Sequence, residues 1–300
     1  MREGVSASCV ALPHGPWTQL VDFLAERLPA VTRAQWALRM AQGRVLDEAG
    51  AALPPDAPYR GGTRAYYYRE LETEPVIPFE ESILYQDAHL LVADKPHFLP
   101  VTPTGRYVQQ TLLVRLKRRT GLEALSPIHR IDRETAGLVL FSVRPQDRGA
   151  YQALFRTRSV DKVYEAIAPL RPELPLPAVH RSRIAPDERF FRQREVPGEP
   201  NSETAIALLE ARAGHGRYAL RPVTGRTHQL RVHLHALGRP IVGDLFYPEV
   251  VHGPGAVDED WSRPLQLLAR SIAFTDPVTG APRRFESRRQ LAWPGAPDTF

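Results

Sequence analysis

The sequence predicts an α+β fold, in which a large domain built on a mixed sheet with flanking helices follows a small α/β domain. Three observations carry this reading. From Ile83 onward, short strand-like runs dominate and only a few helical runs interrupt them. The first ~75 residues instead hold two helix-like segments and one short strand, followed by a stretch rich in proline and glycine. A chain of 300 residues is long enough for one large domain or two ordinary ones. The expected boundaries are 1–75 and 76–300.

In the first domain, Trp17 to Leu28 places Leu20, Val21, Leu24 and Leu28 on one helical stripe, and Pro29 ends it. Thr32 is a suitable N-cap for a second helix, Arg33 to Gln42, which buries Trp36 and Met40 and stops at Gly43. A strand is expected near Arg44 to Leu46. Pro54, Pro55, Pro58, Gly61 and Gly62 precede the aromatic run Tyr66-Tyr67-Tyr68, and Glu70 to Pro78 reads as a linker.

In the second domain, Ile83 to Tyr85 and Leu90 to Ala93 flank Gln86-Asp87-Ala88-His89 as a hairpin. Leu138 to Ser142 is a continuous apolar strand. Gln146 to Arg156 is amphipathic and is expected to bury Tyr151, Leu154 and Phe155. Lys162 to Ile167 alternates as a strand, and Thr204 to Leu209, Tyr218 to Val223 and Ser271 to Phe274 add further strands. His228 to Leu237 spaces Leu230, Leu234 and Leu237 as a helix ending at Gly238. No internal repeat is evident.

Composition narrows the function classes. No run of about eighteen apolar residues exists, so no membrane-spanning helix is expected, and Met1 to Val10 does not read as a signal peptide. Cys9 is the single cysteine, which excludes an internal disulfide and a cysteine-rich metal site. A cytoplasmic protein is expected. The net charge is +5 and the pI about 9.5, a mild basic excess compatible with nucleic-acid binding or with a basic solvated surface. Lysine occurs only at Lys95, Lys117 and Lys162, so 36 of the 39 basic residues are arginine (39 − 3). Arginine suits bidentate phosphate contacts and stacking on bases, but Ala and Pro are abundant too, and a compositional bias explains the pattern equally well.

Three segments carry chemistry. The first runs from Asp94-Lys95-Pro96 to Pro103. The second is His129-Arg130-Ile131-Asp132-Arg133, continuing through Gly137 to Ser142. The third is Gly225-Arg226-Thr227-His228-Gln229-Leu230-Arg231, continuing through Gly243-Asp244. Asp132 stands between Arg130 and Arg133 at the mouth of a buried strand. Flanking cations favour the charged form of a carboxylate, which a carboxylate nucleophile needs; a surface ion pair is the commoner use of an isolated motif of this kind. Helical spacing puts His228, Arg231 and His235 on one polar face opposite the leucines, either solvated or reaching a carboxylate. His233 lies far round that helix from the other histidines, and no acidic third ligand follows, so a zinc site is not expected.

The run HRIDRETAGLVLFS closely resembles the signature of the RluA-type pseudouridine synthase family. DKPHFLPVTPTG is similar to that family's earlier motif and GRTHQLRVHLHALGRPIVGD to its later one. With Lys162-Val163-Tyr164-Glu165-Ala166, the match spans about Ile83 to Phe274 in matching order and spacing. The first motif departs from the usual form at His97-Phe98-Leu99-Pro100-Val101-Thr102-Pro103, and Ala136 replaces a common serine. The N-terminal segment resembles a small RNA-binding domain first named in a ribosomal protein, although Leu46-Asp47-Glu48-Ala49-Gly50 replaces its usual Val-Asn-Gly.

The resemblance implies a pseudouridine synthase fold with a mixed, mostly antiparallel central sheet, and an enzyme that isomerises uridine to pseudouridine in ribosomal or transfer RNA. Asp132 matches the essential aspartate, as nucleophile or base. Tyr164 matches a tyrosine that stacks on the target base and helps shuttle a proton. Arg231 matches the arginine that pairs with the aspartate. Arg130 matches an arginine that helps hold the place of the flipped-out nucleotide, and Arg133, Arg226 and His228 are assigned with it to RNA contact. No metal and no organic cofactor is implied. The partner is structured RNA, and the protein is expected to act as a monomer without a membrane. Arg33, Arg39 and Arg44 of the first domain are candidates for phosphate contact. So is the stretch Arg181, Arg183, Arg189, Arg192 and Arg194 with Phe190 and Phe191, where basic and aromatic residues interleave; an exposed arginine-rich hairpin is the alternative. Two rival functions are an inactive RNA-binding module on the same scaffold and a metal-free carboxylate hydrolase. The first is disfavoured by the joint presence of Asp132, Tyr164 and Arg231, the second by the lack of a second acid at a suggestive spacing.

Overall fold

The apolar runs at Leu90 and Leu138 pack on both faces of one sheet, and their alternation shows it. Leu91, Ala93, Val139 and Phe141 point into one core cluster, while Leu90, Val92, Leu138 and Leu140 point into another. Successive strand residues face opposite ways, so an uninterrupted apolar run marks a strand covered on both sides. The computed structural model describes residues 4–5, 7–68, 74–189, 191–251 and 260–295. Phe190 and residues 70–73 of the expected linker lie outside these. The chain divides into two units, Met1–Glu74 and Pro75–Phe300.

The first unit contains β1 (Ser8–Ala11), α1 (Leu20–Arg27), α2 (Arg33–Ala41), β2 (Val45–Leu46) and β3 (Arg64–Tyr67). Its sheet has the order β1-β3-β2, both pairs antiparallel. Leu20, Leu24, Trp36, Met40 and Val45 form its core. Thr32 caps α2 as the sequence predicts: its side chain accepts from the Gln35 N–H while the Gln35 side chain accepts from the Thr32 N–H, a reciprocal capping box. The first helix starts at Leu20 rather than Trp17, because Gln19 is extended and bridges Pro58.

The second unit contains β4 (Ser82–Gln86), β5 (Leu90–Lys95), α3 (Leu112–Thr120), β6 (Ser126–Pro127), β7 (Ala136–Ser142), α4 (Arg148–Arg156), β8 (Asp161–Pro169), β9 (Val179–Pro186) and β10 (Gln193–Val196). It continues with β11 (Ser202–Arg212), β12 (His215–Pro222), α5 (Gln229–Ala236), β13 (Leu267–Thr275) and β14 (Pro282–Glu286). One sheet runs β10-β9-β11-β12-β8-β13-β7-β5-β4, with β14 on β13 and β6 on β7. The β7–β13 pair is parallel and the other described pairs are antiparallel. This is the mixed, mostly antiparallel sheet expected.

Two expectations need correction. The segment at Gln146 opens with a 3-10 turn over Pro145–Asp147, closed by the Arg148 N–H donating to the Pro145 carbonyl three residues back, and the α-helix begins only at Arg148. Within α4 only Tyr151 is fully buried; Leu154 and Phe155 are half-buried at its edge. Of the two readings open for the polar face of the helix at His228, the structure shows the second: Gln229 through Leu234 are all buried, and Arg231 reaches carboxylates. No helix among the described residues is long and apolar enough to cross a membrane.

A transverse row of the sheet sets up the site. Gly137 on β7 pairs with Ala269 on β13, Ala269 with Tyr164 on β8, and Tyr164 with Leu220 on β12. Gly137 makes this row possible. Its φ is +107°, and a Cβ there would lie 2.4 Å from the Ala269 carbonyl oxygen.

Candidate active site

Asp132 lies in the loop between β6 and β7, and the backbone around it is held from two directions. Ile128 N–H donates to the Leu140 carbonyl, and Leu140 N–H donates to Nε2 of His129 (3.1 Å). That ring nitrogen accepts, so the proton of a neutral ring sits on Nδ1. Burial, and next the nearby Lys162 charge, push the His129 pKa down to about 3, which keeps the ring neutral. Its face stacks on Phe155 at 4.6 Å. From below, the buried Lys95 ammonium donates to the carbonyls of Pro96 and Arg133, both at 2.9 Å. Burial lowers the Lys95 pKa to about 7, against the pull of Glu134.

The Asp132 carboxylate is 27% exposed and opens on a cleft of about 700 Å³. Arg231 from α5 reaches it from the buried side. The Arg231 guanidinium is 1% exposed. Its Nε and Nη2 donate to the two oxygens of Asp244, at 2.8 and 2.6 Å, while Nη1 donates to Oδ2 of Asp132 at 3.4 Å and lies 3.7 Å from Glu134. Burial alone would lower its pKa, but Asp244, Asp132 and Glu134 more than reverse this, and the pKa is raised. The Phe246 and Tyr247 rings lie 4.8 and 5.5 Å from the guanidinium carbon. Asp244 is itself fixed. The left-handed Gly243 precedes it, where a Cβ would sit 2.3 Å from the Pro264 carbonyl oxygen, and the N–H groups of Phe246 and Tyr247 donate to its Oδ1.

His228 has φ +54° at the N-cap of α5. Its Nε2 lies 4.0 Å from Oδ2 of Asp132, and its Nδ1 is 3.2 Å from the Tyr247 hydroxyl. Burial lowers its pKa, outweighing the opposing pull of Asp132, so the ring is neutral at pH 7. Both Arg231 and His228 approach Oδ2. Oδ1 of Asp132 has no protein partner among the described residues. Tyr164 lines the same cleft. Burial and then the negative Asp132 push its hydroxyl pKa up, so it keeps its proton.

The cleft brings together Asp132, Tyr164, Arg130, Arg133, Arg226 and His228. Arg130 and Arg226 are exposed at its rim, and the Nε of Arg226 donates to the Asn201 carbonyl. Arg133 is partly committed inward, donating to the Phe98 carbonyl and lying over the Tyr107 ring. Arg183 and Arg192 do not line the cleft. Arg183 is exposed on β9, whereas Arg192 packs over Tyr247 at 4.9 Å and lies 3.6 Å from Asp187. Arg33 and Arg44 belong to the first unit, where Arg33 pairs with Asp22 at 2.7 Å.

Sequence reasoning gave no role to Lys95, Glu134, Asp244, Arg158 or Lys162. Lys95 and Asp244 stand in the first and third motifs, and a lysine inside an apolar strand is itself a signal of burial with purpose. Lys162, which also lines the cleft, opens the segment that carries Tyr164, whereas Arg158, lining it too, stands in no motif-like pattern.

A His–Glu cluster lies elsewhere, at His180, Glu195 and His233. Nε2 of His180 is bonded to Glu195 at 2.8 Å, Nε2 of His233 to Ser202 at 2.9 Å, and Nδ1 of His233 to Thr204 at 3.0 Å. Both ring nitrogens of His233 and Nε2 of His180 thus already have hydrogen-bond partners.

A family profile described as RNA pseudouridylate synthase matches residues 89–236, a span that contains Asp132, Tyr164 and Arg231. The dual-specificity RNA pseudouridine synthase RluA of Haemophilus influenzae is 33% identical over 217 residues, covering 71% of this chain and 95% of that protein. The ribosomal large subunit pseudouridine synthase D of Pseudomonas aeruginosa is 29% identical over 287 residues, covering 90% and 88%. Among solved structures, human RNA pseudouridylate synthase domain containing 1 superposes with a TM-score of 0.57 at 25% identity, over 72% of this chain and 86% of that one. An aspartate with one uncommitted oxygen thus shares a cationic cleft with a tyrosine, inside a segment shared along nearly the whole Haemophilus protein, and the chain belongs to the RluA-type RNA pseudouridine synthase family.

Proposed function

We propose that this enzyme isomerises uridine to pseudouridine in ribosomal or transfer RNA, with Asp132 as the catalytic carboxylate. The reaction breaks the bond from ribose carbon 1′ to the base nitrogen, turns the base, and rejoins it through carbon 5. The carbon 5 proton is lost and the freed nitrogen gains one, so atoms balance. The target has to leave the stack to be reached. Attack on the ribose or the base, or removal of a proton, each needs a carboxylate oxygen free of protein partners. The observation that carries the proposal is Oδ1 of Asp132, open to a cleft that also holds Tyr164.

Arg231 orients Asp132 through the other oxygen, while Asp244 holds Arg231 in place. Tyr164 offers its ring to the uracil and its retained hydroxyl proton to the turning base. Arg130 and Arg226 at the rim take phosphates. The first unit adds RNA contacts through Arg33 and Arg44, and the β9–β10 hairpin through Arg183 and Arg192. On this reading the enzyme acts as a monomer, with Asp132, Tyr164 and Arg231 making up one site.

The test is Asp132→Asn, nearly isosteric but neither a carboxylate nucleophile nor an effective base. RNA from a strain lacking the gene is incubated with wild type and variant, pseudouridine is mapped, and binding is titrated on the same RNA. The expected result is no product, with affinity within about tenfold, or about 1.4 kcal/mol, of wild type. Turnover at even a few per cent of wild type would remove Asp132 from the chemistry. Binding without product in the wild type itself would favour the inactive RNA-binding module.

A further inference from the structure

Beside the Asp132 cleft lies a second groove of about 750 Å³, floored by the ends of β8, β12, β13 and β14. Five cations line it, Arg158, Lys162, Arg221, Arg283 and Arg284, against one acid, Asp161. Arg158, Lys162 and Val223 border both depressions, so the groove continues the catalytic cleft along a shared cationic wall.

The charges differ in how far they are already used. Arg283 is committed inside the protein, bonding Tyr85, Asp87 and Asp276. Arg221 lies 3.8 Å from Asp161 and Arg284 2.6 Å from Glu286, in pairs whose side chains are all more than half exposed. Surface pairs of this kind are weak and screened, and exchange readily for a phosphate. Arg158 and Lys162 have no side-chain hydrogen bond or ion pair among the described residues.

Arg158 also occupies a position that favours glycine. Its φ is +59°, just beyond the end of α4. Its N–H donates to the Phe155 carbonyl and the Ser159 N–H to the Leu154 carbonyl, the paired bonds of a left-handed helix stop. An arginine there strains the backbone where a glycine would not, and its unpaired side chain stands where cleft and groove meet. An outlier of this kind points to a use for the side chain.

We propose that this groove is an RNA-backbone site: phosphates of the segment flanking the target uridine lie along Arg158, Lys162, Arg221 and Arg284. The proposal rests on the RNA-modifying reading of the cleft and assigns the direction in which the substrate leaves it.

The experiment compares wild type, Arg158→Gly, the double variant Arg221→Glu/Arg284→Glu, and, as a control, Arg144→Glu, an exposed arginine that lines neither the cleft nor the groove. Affinity for a single-stranded 20-nucleotide oligouridylate is measured by fluorescence anisotropy from 50 to 200 mM salt. The double variant is expected to bind roughly tenfold more weakly at the lowest salt, with the slope of log affinity against log salt shallower by about 0.7 per lost phosphate contact. Arg158→Gly is expected to lose roughly threefold or more in affinity while melting at or above the wild-type temperature, because glycine suits that φ. Arg144→Glu is expected to match wild type. Unchanged affinity and slope in the double variant, or an equal loss in the Arg144 control, would overturn the groove, as would a lower melting temperature with unchanged binding in Arg158→Gly. Pseudouridine formation by the wild type is scored separately on RNA from a strain lacking the gene. Its absence would sink the catalytic reading, while the salt slope still decides whether the groove binds RNA.

Discussion

One guanidinium serves three carboxylates at this site, and under the proposed function the division of its hydrogen bonds sets the chemistry. Arg231 gives its best-formed pair of bonds to Asp244 and only a long one to Asp132. Asp244 therefore takes up most of the Arg231 charge, and Asp132 is oriented without being tied down. Asp244→Asn keeps the shape but removes that charge, so Arg231 is expected to turn toward Asp132 and occupy it. The expected outcome is a fall in kcat of roughly tenfold or more with KM for RNA held, alongside a lower melting temperature from weakening a buried pair. A loss of stability with unchanged kcat would make Asp244 merely structural. Tyr164→Phe probes the tyrosine of the same cleft. The ring persists, so RNA affinity is expected within about threefold of wild type, that is, well under 1.4 kcal/mol. Turnover is expected to fall because the hydroxyl, which burial and Asp132 keep protonated, is gone. Wild-type turnover in that variant would exclude a proton role.

The elements show why some of this is written locally and some is not. Helix α5 declares itself through Leu230 and Leu234, which enter the core beside Ile206, Tyr218 and Leu220. Its other faces do not, because what covers them comes from elsewhere: Asp244 and Phe246 over Arg231, and the β9 and β11 hydroxyls of Ser182, Ser202 and Thr204 around His233. A polar residue on a helix reads as solvated until the partner from a distant segment is known. Strand β7 behaves alike. Its apolar run predicts burial on both faces, but the demand on Gly137 appears only when β13 pairs with it in parallel. Gly137→Val is expected to destabilise the domain by roughly 3 kcal/mol or more, since it combines a positive φ with a backbone clash. Denaturant unfolding checks this; a shift under about 1 kcal/mol would mean that β7 and β13 separate at little cost.

At the scale of the molecule, Asp132, Tyr164 and Arg231 could be found from the sequence because each lies in a contiguous motif, whereas the groove at Arg158, Arg221 and Arg284 could not, because its cations come from three separate segments that only the sheet brings together. The separate core of each unit leads to an expectation for the whole chain: residues 75–300 alone should stay folded, since Trp36, Leu24 and their neighbours pack within the first unit and the sheet clusters within the second. A single cooperative melt of the truncated protein checks this, and insolubility would count against it. A second expectation concerns acid. Burial pushes the pKa of His97 down to about 4 and those of His129 and His233 to about 3. His233 is the plainest case, fully buried with both ring nitrogens bonded to hydroxyls. In the unfolded chain these rings take up protons near pH 6.5, so between that pH and 3–4 the unfolded state binds more protons than the folded one. Their contribution is therefore fully present above about pH 6.5 and is lost as pH falls. By pH 5 each ring costs roughly 1–2 kcal/mol of stability, before carboxylates begin to matter. Urea midpoints at pH 7.5, 6 and 5 should fall in step, and His233→Gln should flatten the decline. A flat profile between pH 7.5 and 5 would mean that these histidines are not held neutral in the fold.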